Sequence, residues 1–210
     1  LPEKGVCWRE LSAKPTRNED GSIVWHGFTT DITERKSNEQ TIRQFNEKLE
    51  RRAHYDGLTG LPNRVLFRDR LEQEMKHAQG GAHAMALLFI DLDRFKEVND
   101  LLGHDAGDAL LAHAAKRIAG CLRPGDTVAR LGGDEFTVIL TETREVAHAE
   151  QTAQQIVDVL RTPFRIGIEH VSISGSIGVT LYPGDGAMPE ELMRNADHAM
   201  YCAKSAGRNQ

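Results

Sequence analysis

From residue 55 onward the sequence predicts an α/β sandwich, with a central mixed or antiparallel sheet flanked by helices. Three observations carry that expectation. Helical and strand patterns alternate along the segment. The apolar run Met85–Leu92 reads as a buried strand. Gly132-Gly133 lies between two β-like stretches as a two-residue hairpin turn does, and a tight hairpin makes its strands antiparallel.

Taken in order, residues 1–33 hold two strand-like stretches, Val6–Leu11 and Gly21–Phe28, with the turn signal Asn18-Glu19-Asp20-Gly21 between them. A lone hairpin is marginally stable in water, so this one is expected to be the tail of a larger domain. Residues 34–54 lack Gly and Pro, and Ile42, Phe45 and Leu49 recur at three- and four-residue steps among charges. That pattern predicts an amphipathic helix with a narrow seam, suited to a short coiled coil or to docking on a neighbour, or else a plain solvated linker. In residues 55–210, helices are expected at about 64–79, 105–122, 146–161 and 189–206. Strands are expected at Met85–Leu92, Thr127–Leu131, Phe136–Leu140, 164–168 and 171–181, with Gly80-Gly81 leading into the first.

The 210 residues, 40% hydrophobic and 27% charged, fit one full globular domain plus an appendage. A net charge of -5 excludes a general basic field for a nucleic acid polymer or an anionic membrane. A nucleotide would have to be held by a few placed cations and a metal. Cys7, Cys121 and Cys202 are odd in number and lack CxxC spacing, which argues against a disulfide framework or a zinc site and for a reducing cytoplasm. No apolar run approaches the roughly 20 residues that span a bilayer, and no signal peptide is evident. The chain starts without Met and ends at Gly-Arg-Asn-Gln, so it reads as a piece of a longer protein that could be anchored elsewhere.

The chemistry concentrates at two places. In Phe89-Ile90-Asp91-Leu92-Asp93-Arg94-Phe95-Lys96, carboxylates appear as a buried strand ends, and alternation puts Asp91 and Asp93 on one face. Two carboxylates at a strand end suit Mg²⁺, which shares its remaining positions with phosphate and water; alternatively they cap the next turn. In Leu131-Gly132-Gly133-Asp134-Glu135-Phe136, the glycines admit positive φ and close approach of a phosphate, and the two acids leave on opposite faces. One acid can join the metal site, and the other can orient a neighbour or act as base. Either cluster alone has an ordinary structural reading. Together they supply ligands for a two-metal phosphoryl-transfer site.

These segments resemble the GGDEF family of diguanylate cyclases, and the resemblance extends over residues 54–209. It is carried by Asp56-Gly57-Leu58-Thr59-Gly60-Leu61-Pro62-Asn63-Arg64, Asp91–Lys96, Asn99-Asp100, Gly103-His104-Asp105-Ala106-Gly107-Asp108 and Gly132–Phe136. It continues in Ser176-Ile177-Gly178-Val179, 196–204 and Gly207-Arg208-Asn209, all in the family's order. The resemblance implies a nucleotidyl-cyclase-like fold and a homodimer that condenses two GTP into cyclic di-GMP with Mg²⁺ (or Mn²⁺). It implies that Asp91, the Leu92 carbonyl and Asp134 hold the metal, with Glu135 beside them. Asn99 and Asp108 would read the guanine edge. A carboxylate accepts from the N1–H and exocyclic amine of guanine, which adenine cannot reproduce. Lys204 and Arg208, at i and i+4 on the last helix, would clamp phosphates. Phe95 and Lys96 would border the phosphates, largely through main-chain N–H groups. His104 either contributes or is structural, and Asp105 is the better helix-cap candidate.

Arg123-Pro124-Gly125-Asp126 matches the family's inhibitory RxxD pattern, in which Arg123 grips product cyclic di-GMP and Asp126 accepts from a guanine edge. A helix-terminating loop is the other reading of Pro-Gly here. The first residues resemble the end of a PAS sensor domain, through Trp8-Arg9-Glu10, 20–24 and Asp31-Ile32-Thr33-Glu34-Arg35-Lys36. Residues 1–33 are then a PAS fragment, 34–54 a signalling helix and 55–210 the cyclase domain. Tyr182-Pro183-Gly184-Asp185-Gly186 resembles the closing part of cyclases fused to an EAL phosphodiesterase domain. The rival expectation is therefore a catalytically silent GTP-binding module that regulates such a domain.

Overall fold

The computed structural model describes residues 6–80, 84–143 and 146–210. The chain divides after Arg51 into two compact units. In the first, β1 (Arg9–Arg17) and β2 (Ile23–Asp31) pair antiparallel from Arg9↔Asp31 to Arg17↔Ile23. The first strand runs well past the expected Leu11. The Ser22 N–H donates to Asp20 Oδ1 at 2.9 Å and tightens the turn, leaving Ser12–Arg17 opposite Ile23–Phe28, so the ladder takes them up. Helix α1 (Thr33–His54) starts where the Thr33 N–H donates to Asp31 Oδ1 at 2.9 Å. Its seam residues Ile42, Phe45 and Leu49 are exposed.

The second unit runs α2 (Arg64–Gly80), β3 (Met85–Asp93), α3 (Phe95–Leu102), α4 (His104–Gly120), β4 (Thr127–Gly132), β5 (Glu135–Leu140), α5 (Val146–Arg161), β6 (Phe164–Ile166), β7 (Glu169–Val171), β8 (Ser174–Tyr182) and α6 (Pro189–Ser205). The main sheet has the order β4-β5-β3-β8, and each of its pairings is antiparallel. Gly81, half of the expected Gly80-Gly81 break, lies outside the described residues.

Two elements differ from the expectation. Helix α3 has only eight residues, follows Arg94 in a left-handed conformation and has no side-chain cap, so its two turns leave too little periodicity to read. The expected strand at 171–181 is split. Val171 closes a small hairpin of β6 with β7, and β8 starts at Ser174 opposite Asp93.

The central strand β3 is buried over its whole length, and its alternation divides the core in two. Ala86, Leu88, Ile90 and Leu92 join a cluster with α3, α4 and α5. Met85, Leu87 and Phe89 join α2 and α6 through Phe67, Leu71, Leu192, Ala196 and Met200. Continued by alternation, the second face brings Asp91 and Asp93 to its end. Helix α6 lies very close to the sheet there. A Cβ on Gly178 would stand 1.9 Å from the Ala196 carbonyl oxygen and 2.4 Å from the Met200 nitrogen, so glycine sets the depth at which α6 seats. Across the sheet, the Arg117 guanidinium stacks 3.5 Å from the Phe164 ring centroid and donates to the carbonyls of Val159, Thr162 and Pro163. It thereby fastens α4 to the frayed end of α5, where helix carbonyls lack partners.

Candidate active site

Strand β3 is paired on both sides, and this register assembles the site. Asp91 stands opposite Glu135 of β5 and Ser176 of β8, and Asp93 stands opposite Ser174. Asp91 is buried, and Lys204 of α6 reaches it with Nζ 2.8 Å from Oδ1. Burial pushes the Asp91 pKa up and the Asp134 charge adds to that push, while the Lys204 hydrogen bond opposes it; the net shift is upward.

The hairpin differs by one residue from the expectation. Gly132 pairs with Glu135, so the turn residues are Gly133 and Asp134 rather than Gly132 and Gly133, and the register slips between Arg130 and Gly132. The unpaired Leu131 is a β-bulge that advances the ladder, and both glycines take positive φ, 146° and 54°. The Asp134 carbonyl accepts from the Leu92 N–H at 3.3 Å, which folds the turn against the end of β3. Arg130 grips the turn from behind. Its Nε and Nη2 donate to the Gly133 carbonyl at 3.0 and 2.8 Å, and its Nη1 donates to Asp56 at 3.0 and 3.1 Å. Burial opposes the charge on Asp56, but hydrogen bonds from Thr59 and the Arg130 pair outweigh it and lower the pKa. Glu135 is half-buried, with Oε2 3.8 Å from Arg64 Nη2.

Asp91 and Asp134 are oxygen donors close enough for one charge to raise the other's pKa, with an ammonium drawn in as counter-ion. That donor chemistry fits a hard divalent cation such as Mg²⁺, with phosphate and water completing the shell. Among the described residues, no group of three or more His, Cys, Asp or Glu side chains converges as a self-sufficient metal site.

On the other side of β3, Asn99 of α3 sits directly over Gly107 of α4. A Cβ there would fall 1.9 Å from Asn99 Oδ1, so glycine lets the amide lie against the helix. Asp108 follows on α4 and is exposed. The Phe95 side chain is in the core and Lys96 is exposed, and both stand in the first turn of α3, where main-chain N–H groups lack helical partners. His104 is exposed at the start of α4. The cap there is Gly103, with no side-chain hydrogen bond, rather than Asp105, because the helix starts at His104 and Asp105 already lies within its first turn.

Three further expectations change. Helix α6 stops at Ser205, so Lys204 and Arg208 do not share its face; Arg208 N–H donates back to the Ala203 carbonyl at 3.0 Å, and Arg208 takes φ 65°. Arg208 nevertheless lies near the strand end, with Nε 3.9 Å from Asp93 Oδ1. Asp93 is occupied, accepting from Ser174 Oγ at 2.6 Å, Ser176 Oγ at 2.7 Å and the Asn209 N–H at 3.2 Å. Arg123 and Asp126 are engaged with each other and with the end of β5. Asp126, its side chain 2% exposed, accepts from the Thr141 N–H at 3.1 Å and Arg123 N–H at 3.2 Å, and Arg123 Nη2 donates to the Thr141 carbonyl.

The sequence alone assigns no role to Arg130, Asp56 or Arg64, although Asp56 and Arg64 bound one quoted motif and Arg130 lies in the expected strand Thr127–Leu131. The Ser174-x-Ser176 alternation on one strand face was the available signal for Asp93.

Fold and site together define a class: an α/β domain whose central strand ends in a carboxylate cluster flanked by placed cations, as a phosphate-bearing ligand requires. The chain belongs to the GGDEF family, since the model for "Diguanylate cyclase, GGDEF domain" matches residues 53–210. It is 43% identical over 209 residues, 99% of its length and 45% of the relative's, to the diguanylate cyclase TpbB of Pseudomonas aeruginosa. The crystal structure of the GGDEF domain of that protein, PA1120 (YfiN or TpbB), superposes with a TM-score of 0.71 at 46% identity, over 72% of this chain and 95% of the other. MucR of P. aeruginosa, a bifunctional diguanylate cyclase/cyclic di-GMP phosphodiesterase, is 50% identical over 80% of this chain and 24% of its own. The coiled coil and GGDEF domain of DgcB from Caulobacter crescentus, in complex with c-di-GMP, superposes with a TM-score of 0.75 at 28% identity, covering 85% of this chain and 95% of that one. The chain thus spans less than half the length of these two curated relatives.

Proposed function

We propose that this chain condenses two GTP into cyclic di-GMP and two pyrophosphates, as a dimer and with a divalent cation. The observation that carries the reading is the meeting of Asp91, the Asp134 turn and Lys204 at one end of β3, with Asn99 seated over Gly107 beside it. The similarity to TpbB and to the DgcB domain in complex with c-di-GMP supports the substrate and product.

In this reading Asp91, the Leu92 carbonyl and Asp134 hold Mg²⁺ (or Mn²⁺), which when bound neutralises triphosphate charge. Asn99 and Asp108 bind the guanine edge and orient the nucleotide, with His104 at the rim. Lys204, Arg208 and the main-chain N–H groups of Phe95 and Lys96 hold phosphate oxygens. Glu135 serves as the neighbouring acid that orients or deprotonates the attacking group. Each 3′-hydroxyl attacks the α-phosphate held by the partner subunit, and pyrophosphate leaves. Such chemistry asks mainly for positioning and charge neutralisation. Lys204 occupies Asp91 in the free chain and exchanges that partner for phosphate when substrate arrives. Product inhibition at Arg123 and Asp126 belongs to the same reading, and it requires Arg123 to leave the Thr141 carbonyl.

The decisive experiment is incubation with GTP and Mg²⁺ followed by product analysis. Cyclic di-GMP and pyrophosphate are expected, and Asp134→Ala with Glu135→Ala abolishes both while leaving the melting curve near that of the parent, because these two half-buried acids lie outside both core clusters. The second reading, a silent GTP-binding module in a longer protein, draws on MucR, whose name carries both activities and of which this chain spans 24%. GTP binding without product selects it.

A further inference from the structure

We infer that Asp93 is a positioning residue: it holds Arg208 at the phosphate side of the site by pinning the Arg208-Asn209 segment to the sheet. The inference rests on the proposed role of Arg208 as a phosphate cation.

Asp93 is placed on the same face as Asp91, yet its side chain is only 2% exposed. Three donors converge on its two oxygens. Ser174 Oγ and Asn209 N–H reach Oδ2 at 2.6 and 3.2 Å, and Ser176 Oγ reaches Oδ1 at 2.7 Å. A carboxylate so engaged has little left for a cation. The two serines come from β8 and the Asn209 N–H from the segment that follows α6, so Asp93 joins the two.

The segment itself needs that restraint. Helix α6 ends with the Ala206 N–H on the Cys202 carbonyl at 2.9 Å and the Arg208 N–H on the Ala203 carbonyl at 3.0 Å. Arg208 and Asn209 then take φ 65° and 57°, a left-handed conformation that residues with side chains rarely adopt. Such backbone persists where its surroundings over-determine it. Three attachments do so: the Asn209 N–H on Asp93, the Ile177 N–H of β8 on the Gln210 carbonyl at 2.8 Å, and Gln210 Nε2 on the Ala203 carbonyl at 3.1 Å. The first lies directly after Arg208 and sets where its side chain begins. With Nε 3.9 Å from Asp93 Oδ1, the Arg208 side chain remains 48% exposed, so a phosphate can reach it.

Alanine at position 93 removes both acceptor oxygens, so Ser174, Ser176 and the Asn209 N–H all lose this partner. Asp93→Ala therefore releases the hook.

The test compares the parent chain with Asp93→Ala, Arg208→Ala and the double variant. The readouts are Kd for GTP in the presence of Mg²⁺ by calorimetry, KM and kcat for cyclic di-GMP formation, and hydrogen exchange at the Asn209 amide. Asp93→Ala is expected to raise Kd and KM about tenfold, the worth of one hydrogen bond to a charged group. It should also remove protection at Asn209. In the Arg208→Ala background the same change adds less than about twofold, because the two residues act through one contact. Additive effects, an unchanged Kd or an Asn209 amide still protected would overturn the inference. Should Asp93→Ala fail to fold, Ser174→Ala removes one donor and leaves the carboxylate. The same direction and the same non-additivity are expected, and an additive effect overturns the proposal equally. A parent chain that binds GTP without making cyclic di-GMP sinks the cyclase reading alone, and Kd then decides the role of Asp93. A parent chain that does not bind GTP overturns both.

Discussion

Asn99 and Gly107 show how tightly single residues are fitted in this site. With 1.9 Å between Asn99 Oδ1 and the position of a Cβ on Gly107, Gly107→Ala has to push the amide aside. Displacement on the ångström scale at a substrate-positioning group costs about 10- to 100-fold in kcat/KM. Steady-state assays with GTP are expected to show that loss with the melting temperature little changed, and an unaltered KM would remove Asn99 from the nucleotide site. Asp91 yields a pH prediction. Its folded-state pKa is raised, chiefly by burial, so the stability it contributes is present below the ordinary carboxylate range and is lost as pH rises through the raised value. At neutral pH the ionised group is a cost that the proposed divalent cation would offset. Mg²⁺ is therefore expected to raise the melting temperature more at neutral pH than near pH 4, and Asp91→Asn removes most of that difference.

At the scale of elements, the depth of α6 and the joint between α4 and α5 are the sensitive contacts. A methyl group on Gly178 meets main-chain atoms of Ala196 and Met200 and not the end of a flexible side chain, so α6 must move outward. Overpacking of this kind costs about 1–3 kcal/mol, and it also carries Lys204 away from Asp91. Gly178→Ala is expected to lower both stability and GTP affinity, measured by denaturant titration and calorimetry. Arg117→Ala leaves the carbonyls of Val159, Thr162 and Pro163 without their donor and removes the stack on Phe164. It is expected to cost roughly 2 kcal/mol with catalysis unchanged per folded molecule. A kcat that fell with it would mean that the joint also reaches the site.

At the scale of the whole molecule, the proposed reaction needs two nucleotides and each domain holds one, so activity depends on association. The exposed seam of Ile42, Phe45 and Leu49 on α1 is the surface suited to raising the local concentration of two domains. Specific activity is expected to rise with chain concentration, and Ile42→Glu with Leu49→Glu should shift the dependence to higher concentration without changing the fold of residues 52–210. A concentration-independent rate would dissociate the seam from catalysis. Arg123→Ala tests the proposed inhibitory site. Weaker inhibition by added cyclic di-GMP is expected, and unchanged inhibition would leave Arg123 as a brace for the Thr141 carbonyl.

Much of the fold was legible because periodicity records which face of an element is buried. The run Met85–Leu92, the hairpin around Gly132–Phe136 and the helices at α2, α4, α5 and α6 all followed from spacing alone. Short or irregular pieces were not legible: α3 is too short to show a period, and the end of α6 depends on a left-handed backbone that residue type alone does not require of Arg208 and Asn209. The motifs point to candidate acids and cations because carboxylates at a strand end and glycines at a turn are local chemistry. Which acid faces a cation and which is consumed by serines was decided by the three-dimensional arrangement. Register brought Ser174 and Ser176 across from Asp93 and Asp91, and the close seat of α6 on Gly178 brought Lys204 to Asp91. Those partners lie scores of residues apart in sequence, so no local pattern could pair them; only the folded sheet sets the distances over which charge and hydrogen bonding act.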